Sequence, residues 1–241
     1  MIIIILTPFC HAQHSQTLRG NRDIEGTWVP FDITDDPNNP GIFIELTPLL
    51  FQRAKIDFVY SYMPTKRAVK ALYADELDFD FVNPDWLSPD DKERFVFSDA
   101  LFQISEYFIS LPVHAKSYLQ ASSAYGKPVG TVSGYYYYDD EHFKRVDFRS
   151  ESEVILGLAK KRYDVAIMEQ FAARYWSAKH HVPISLGSIH TQGYMVMRLR
   201  AEYSHLVPDI NKAINSLKQN GEIQRILLHY TNHQDRLSSY E

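Results

Sequence analysis

Short apolar runs alternate along the chain with stretches of helical spacing, the signature of a sheet assembled from β-α-β units. Residues 56–60, 79–82, 129–132, 165–168, 182–186 and 194–199 are strand-length apolar runs bounded by polar or turn-forming residues. Residues 28–33 read as the end of a first strand and its loop, followed by the turn cluster Asp35-Asp36-Pro37-Asn38-Asn39-Pro40-Gly41. Helical spacing predicts a helix over residues 44–54, where Pro48 is tolerable only near the start. Thr65 is placed to cap a second helix reaching about Tyr73, with Ala68, Val69 and Leu72 on one face. Ser150 and Glu153 form a capping box ahead of a helix containing Val154 and Leu158, and residues 170–179 are helical. The chain ends in two amphipathic helices. Ile210, Ile214 and Leu217 share a face of the first, Gly221 terminates it, and Ile223, Ile226, Leu227 and Tyr230 continue on the second. The pattern therefore divides into two α/β units. The second begins near Tyr107 and is inserted in the middle, so that the terminal helices return to the first.

Length and charge narrow what such a chain does. Its 241 residues suffice for two modest cores. A net charge of −5 gives no electrostatic reason to expect nucleic acid or an anionic membrane as a partner. Cys10 is the only cysteine, which excludes an intrachain disulfide and a cysteine-rich zinc site. Met1 to Leu6 is almost purely apolar, and Ala12 precedes a polar stretch starting at Gln13, an arrangement like the end of a secretory signal over residues 1–12. Export to the periplasm follows from that reading. There is no glycine-rich phosphate loop, nucleophile elbow or zinc-binding helix. His180-His181 reads as a solvated helix end, and His229 with His233 as the end of the last helix. No cofactor and no metal are expected.

Five segments in order resemble the amino-acid-type (family 3) periplasmic solute-binding proteins of ABC importers. They are Trp28-Val29-Pro30-Phe31 with Gly41-Ile42; Leu77-Asp78-Phe79-Asp80 with Phe95-Val96-Phe97-Ser98-Asp99; Gly126-Lys127-Pro128-Val129-Gly130 leading to Ser133-Gly134; Tyr163-Asp164-Val165-Ala166-Ile167-Met168-Glu169; and residues 211–230. The resemblance implies a two-lobed α/β fold of the type II periplasmic binding protein class, with a discontinuous first lobe. Residues 13–106 and 192–241 would form that lobe, residues 107–191 the other, and two crossing strands the hinge. Ligand would lie in the cleft at the carboxyl ends of strands.

The same resemblance designates a site. Trp28 falls where the family places an aromatic wall, and Glu169 where it places the carboxylate that binds a ligand ammonium. Gly134 and Tyr135 match a loop that offers backbone N–H groups to an anion, although Tyr135 is bulkier than the small hydroxyl residue usual there. Asn83, Asp85 and Trp86 fall at the polar edge of the first lobe. Asp91 stands where the family has the arginine that binds a ligand carboxylate, with Arg94 and Lys92 nearby as substitutes. A carboxylate at that point repels an α-carboxylate, so the acidic set Asp85, Asp91 and Glu169 suits a cationic or polyhydroxyl ligand better.

The expected function is capture of a small polar solute, an amino acid or related amine, by a monomeric, non-enzymatic periplasmic component of an importer, with a membrane permease as partner. One alternative is a sensing or partner-binding domain with a degenerate cleft. Another is a dehydratase acting on cyclic acids, with Glu169 and Asp85 as general acid or base.

Overall fold

The computed structural model describes residues 17–237, so the export signal expected over residues 1–12 lies outside the described residues. The chain runs through β1 (Thr17–Arg22), α1 (Ile42–Ala54), β2 (Asp57–Tyr62), α2 (Thr65–Tyr73), β3 (Phe79–Val82), the short α3 (Pro89–Glu93), β4 (Phe95–Phe97) and β5 (Phe102–Ser110). It continues through β6 (Pro128–Val132), β7 (Lys144–Phe148), α4 (Glu151–Ala159), β8 (Val165–Glu169), α5 (Gln170–His180), β9 (Ser185–Arg200), α6 (Val207–Gln219) and α7 (Glu222–Leu237).

Pairing follows the expected βαβ logic only in part. β1 and β2 are parallel, as are β6 with β7 and β6 with β8. The pairs β3–β9, β4–β9, β5–β9 and β5–β8 are antiparallel, so the architecture is mixed α/β. Strand β9 organises it. Its last residues, Val196 to Arg200, pair with β3 and β4, whereas Ser185 to Met195 pair with β5. One strand of 16 residues thus runs through both halves, where two separate strands were expected over residues 182–186 and 194–199. Gly187 and Gly193 interrupt the apolar run, and strand pairing carries the backbone across both. Together with β5 it joins the two lobes of a type II periplasmic binding fold.

Residues 28–33 are not a strand. The Trp28 carbonyl accepts hydrogen bonds from the N–H groups of both Phe31 and Asp32, at 3.0 and 2.8 Å, which closes a turn, and the first strand lies earlier, at β1. Local capping is otherwise close to expectation. The Ser150 hydroxyl accepts from the Glu153 N–H at 3.3 Å and opens α4. Thr65 does not cap α2 as expected: it is the first helical residue, after Pro64, its hydroxyl meets the Thr27 hydroxyl at 3.2 Å, and its own N–H is satisfied by the Asp23 carboxylate at 3.1 Å.

The terminal helices return to the first lobe, as the sequence suggests. The Tyr230 hydroxyl on α7 accepts from the Gly41 N–H at 2.9 Å and donates to Glu45 of α1 at 2.6 Å. Ile210, Ile214 and Leu217 of α6 are wholly buried in the same core as Leu46 and Leu50 of α1. Burial of that apolar stripe, at about 25 cal/mol per Å² removed from water, holds the helices on the sheet.

Candidate functional site

A cavity of about 300 Å³ opens between residues of both halves of the chain, a volume suited to a small solute. Aromatic rings form part of its wall, among aliphatic and polar side chains. Trp28, held at the turn before α1, packs against Phe31 and Phe43 with ring centroids 5.3 and 5.2 Å apart. Phe43 in turn stacks on Phe81 of β3 at 4.0 Å, and Trp86 and Tyr135 also line the cavity. The Trp86 indole N–H donates to the Thr191 hydroxyl on β9 at 3.3 Å, which fixes the ring across the strand that joins the lobes.

Set against these rings is an acidic pole. Glu169 ends β8 and also caps α5: its oxygens accept from the N–H groups of Phe171 at 2.9 Å and Ala172 at 3.0 Å. It is 5% exposed. Burial pushes its carboxyl up to about 8. The N–H groups of α5 oppose that shift, and the charge of Glu106 adds to it. Glu106 lies directly across from Glu169 in the antiparallel β5–β8 register, also buried. Its Oε2 accepts from the Thr191 hydroxyl at 2.5 Å and lies 3.5 Å from Nδ1 of His190. His190 is shared with Asp139, 2.7 Å from its Nε2. Burial alone would lower the imidazole, but these two carboxylates outweigh it and raise its pKa. The third member is Glu151, first residue of α4. Its Oε1 accepts from the Tyr135 hydroxyl at 3.4 Å, while its Oε2 is buried without a partner. Burial, and then the charge of Glu169, push Glu151 well above the usual carboxylate range.

The cavity has one lining guanidinium among the described residues. Arg198 of β9 is 3% exposed and grips Asp80 of β3 two-pronged, Nε to Oδ1 at 2.8 Å and Nη2 to Oδ2 at 2.5 Å. Its charge is thereby matched inside the protein. Asp91, where the resemblance places a carboxylate-binding arginine, lines the same cavity. Its oxygen accepts from the Ser88 hydroxyl at 2.7 Å. Burial pulls Asp91 up, but hydrogen bonds from Ser88 and Tyr73 and the nearby guanidinium charges prevail and hold it below the usual range, so it is ionised at neutral pH.

The residues singled out from the sequence divide accordingly. Trp28, Trp86, Gly134, Tyr135 and Glu169 line the cavity. Gly134 sits at φ 87, the left-handed region that favours glycine, and this turns the chain after β6. Asn83, Asp85 and Arg94 are placed elsewhere. Asn83 is 1% exposed; its side-chain oxygen accepts from the Asp85 N–H at 3.1 Å and packs where a Cβ on Gly193 would lie 2.4 Å away. Asp85 faces solvent, 3.6 Å from Lys92. Arg94 lies over the Tyr73 ring, 4.8 Å from its centroid, and borders a separate cavity of about 180 Å³. It is not among the residues that line the aromatic cavity. Of the Tyr135–Tyr138 run, Tyr137 is core and Tyr138 lies against His190, centroids 4.9 Å apart.

Glu106, Glu151 and Arg198 escaped the sequence reading. Two of them carry a signal. Glu106 is the only charge in Phe102–Ser110, and Arg198 interrupts the apolar run of β9; a charge inside a buried strand is rare unless it is paired or functional. Glu151 carries none, because acids at the start of a helix are common for dipole reasons.

A polar-edged, aromatic-walled cavity between two lobes joined by crossing strands defines a two-lobed solute-binding protein. The sequence matches the model of the bacterial extracellular solute-binding proteins, family 3, over residues 23–233, and the chain belongs to that family. An ancestral arginine-binding protein bound to arginine is similar in structure, with TM-score 0.72 and 22% identity over 90% of this chain and 99% of that one. The amino acid ABC transporter substrate-binding protein AbpA from Streptococcus pneumoniae, bound to L-arginine, gives TM-score 0.74 and 15% identity over 90% of this chain and 95% of that one. AncCDT-1, an ancestral amino acid-binding protein and precursor of cyclohexadienyl dehydratase, gives 0.71 and 18% over 89% and 95%. At these identities the likeness is one of fold. No curated protein matches the chain in sequence.

Proposed function

We propose that this protein captures a small amine-bearing solute in the cleft between its lobes and delivers it, from the periplasm, to a membrane permease of an ABC importer. The lobes are residues 13–106 with 192–241, and residues 107–191; the protein acts as a monomer. The observation that carries this reading is the juxtaposition of Trp28 and Glu169 in one cavity, a ring face and a buried carboxylate that together suit an ammonium group. Relatives of the same fold are bound to arginine or belong to amino acid transporters, which agrees with a solute of that size.

The dehydratase reading is weaker. Proton transfer by Glu169 would require an anionic substrate held in place; Arg198 gives Nε and Nη2 to Asp80, leaving Nη1 alone without a partner, and the ionised Asp91 lines the same cavity. The sensing alternative draws on Asp91, which departs from the family's anchor, and shares the same cleft. Thermal-shift screening with amino acids, amines and sugars, followed by calorimetry on each hit, tests the central statement. A ligand that binds only the folded state raises the melting temperature by mass action. Lack of any hit across the three classes refutes capture of a small solute.

A further inference from the structure

A continuous line of polar side chains runs from the loop after β6 to the segment after β3, across both strands that join the lobes. Asp139, in that loop, meets Nε2 of His190 on β9 at 2.7 Å. Nδ1 of the same ring stands 3.5 Å from Glu106 on β5. Glu106 accepts from the Thr191 hydroxyl, and Thr191 accepts from the Trp86 indole N–H at 3.3 Å. Both ends of the line carry cavity wall. Trp86 is wall at one end, and at the other Gly134, Tyr135 and Tyr136 of the Asp139 loop line the same space. Glu106, midway, lines it too.

His190 is the residue on which the line turns. The register of β5 and β9 slips there: Glu106 faces Thr191 and Tyr107 faces Ile189, so His190 is the extra residue of a β-bulge, a device that re-aims a side chain. Its ring is wholly buried, stacked under Tyr138 and edge-on to Phe108. The titratable groups around it are Glu106 from β5 and Asp139, Tyr137 and Tyr138 from the loop. Beyond Glu106 stand Glu169 of β8 and Glu151 of α4, and Arg145 of β7 lies over the Tyr137 ring, itself held by Asp140 and Asp147. An imidazolium donates from both nitrogens, whereas a neutral ring has one N–H and one lone pair. Two buried carboxylates therefore share the ring only while it is charged. Neither Nδ1 nor Oδ2 of Asp139 has another hydrogen-bond partner. A neutral ring that keeps its shorter contact, to Asp139, turns a lone pair on the Glu106 carboxylate.

We propose that His190 is a proton-sensitive latch on the cleft: charged, it ties the Asp139 loop to Glu106 and, through Thr191, to Trp86, fixing two cavity walls against each other; on losing its proton it releases Glu106 and with it the Trp86 wall. His190 is thus a positioning residue, which acts on the cavity through Glu106 and the loop. The latch is shut at acid pH and opens as pH climbs past a midpoint held above the ordinary 6.5, because the two carboxylates outweigh burial of the ring. It concerns the shape of the cleft and does not depend on which solute enters.

Nuclear magnetic resonance on the full, ligand-free chain tests the latch. Imidazole signals and indole N–H signals are followed from about pH 5 to 9, those of His190 and Trp86 being assigned by their loss in His190→Gln and Trp86→Phe. His190 is expected to titrate above 6.5, and the Trp86 indole N–H to shift with the same midpoint. Asp139→Asn and Glu106→Gln should each lower the His190 midpoint by about one pH unit or more, the effect of removing one opposite charge at close range. Glu169 also titrates beside Glu106, so the Trp86 step should persist in Glu169→Gln and vanish in His190→Gln. Thr191→Val cuts the line while leaving the imidazole in place: His190 should still titrate and Trp86 should no longer follow. That variant carries the test if His190→Gln does not fold.

A His190 ring that titrates at or below 6.5 overturns the inference, as does a Trp86 signal that ignores the ring or still follows it in Thr191→Val. A His190 midpoint unmoved in both carboxylate variants overturns it as well. A purely structural His190 would lower the melting temperature on replacement but give Trp86 no titration step. These measurements involve no solute, so their failure removes the latch and leaves solute capture standing.

Discussion

Raising the pH should destabilise the ligand-free protein, against the common pattern of carboxylate-rich folds. Glu169 is the group to follow. Its carboxyl is pushed from an ordinary 4.5 to about 8 in the folded state by burial, with the N–H groups of α5 opposing and Glu106 across β5 adding. The folded chain therefore keeps a proton that the unfolded chain has released. Stability from this group is fully present below about 4.5 and is lost as pH climbs to about 8, with a slope of up to 1.4 kcal/mol per pH unit per proton. Over that window the limit is on the order of 5 kcal/mol, shared among coupled groups rather than owned by one. Glu151 on α4 and His190 on β9 are also raised in the folded state and act with the same sign. Asp78, Asp91 and Asp147 are depressed, so their contributions are lost only at acid pH and do not offset the trend above pH 5. Urea unfolding of the ligand-free chain at pH 5, 6, 7 and 8 should show stability falling by a few kcal/mol. In thermal melts that is a drop of about 10 °C for a protein of this size. Glu169→Gln should flatten the profile. Stability that is level or rising from pH 5 to 8 would refute the reasoning, because it would mean that Glu169 is ionised in the folded state without cost.

Other outcomes follow from the same geometry. Asp91→Arg restores a cation where the resemblance expects one, and should raise the affinity for an α-amino acid at least tenfold, roughly one charge–charge contact; calorimetry reads it. Trp28→Ala should cost about 2 kcal/mol of ligand binding through loss of the ring face, with little change in stability beyond its contacts with Phe31 and Phe43. Arg198→Met leaves the Asp80 carboxylate without its partner and should cost about 3–5 kcal/mol in urea unfolding, much of it recovered by adding Asp80→Leu. Gly193→Ala should cost about 1–3 kcal/mol by forcing Asn83 from its place, a test of Asn83 as a packing residue rather than a ligand contact.

What the sequence by itself determined is what local physics controls. β3 appears at residues 79–82 as read, α2 at 65–73, and α6 and α7 follow their apolar stripes, because a strand or an amphipathic helix writes its period into consecutive residues. Trp28 and Glu169, singled out through ordered motifs that resemble the family's, both line the cavity. The merging of two apolar runs into β9 was not legible, since the residues between them are held as strand only by pairing with β5. Nor was the turn at residues 28–33, which is closed by bonds to the Trp28 carbonyl rather than by any apolar spacing. Tertiary structure alone decided the site's electrostatics. Arg94, near Lys92 in the segment where the resemblance places an arginine, does not line the cavity, while Arg198, more than a hundred residues later, does and is bound to Asp80. Glu106 and Glu169 meet because β5 and β8 are adjacent, and Glu151 joins them from α4. Charge interactions depend on distance and burial through space, and neither is encoded in any local window of the chain.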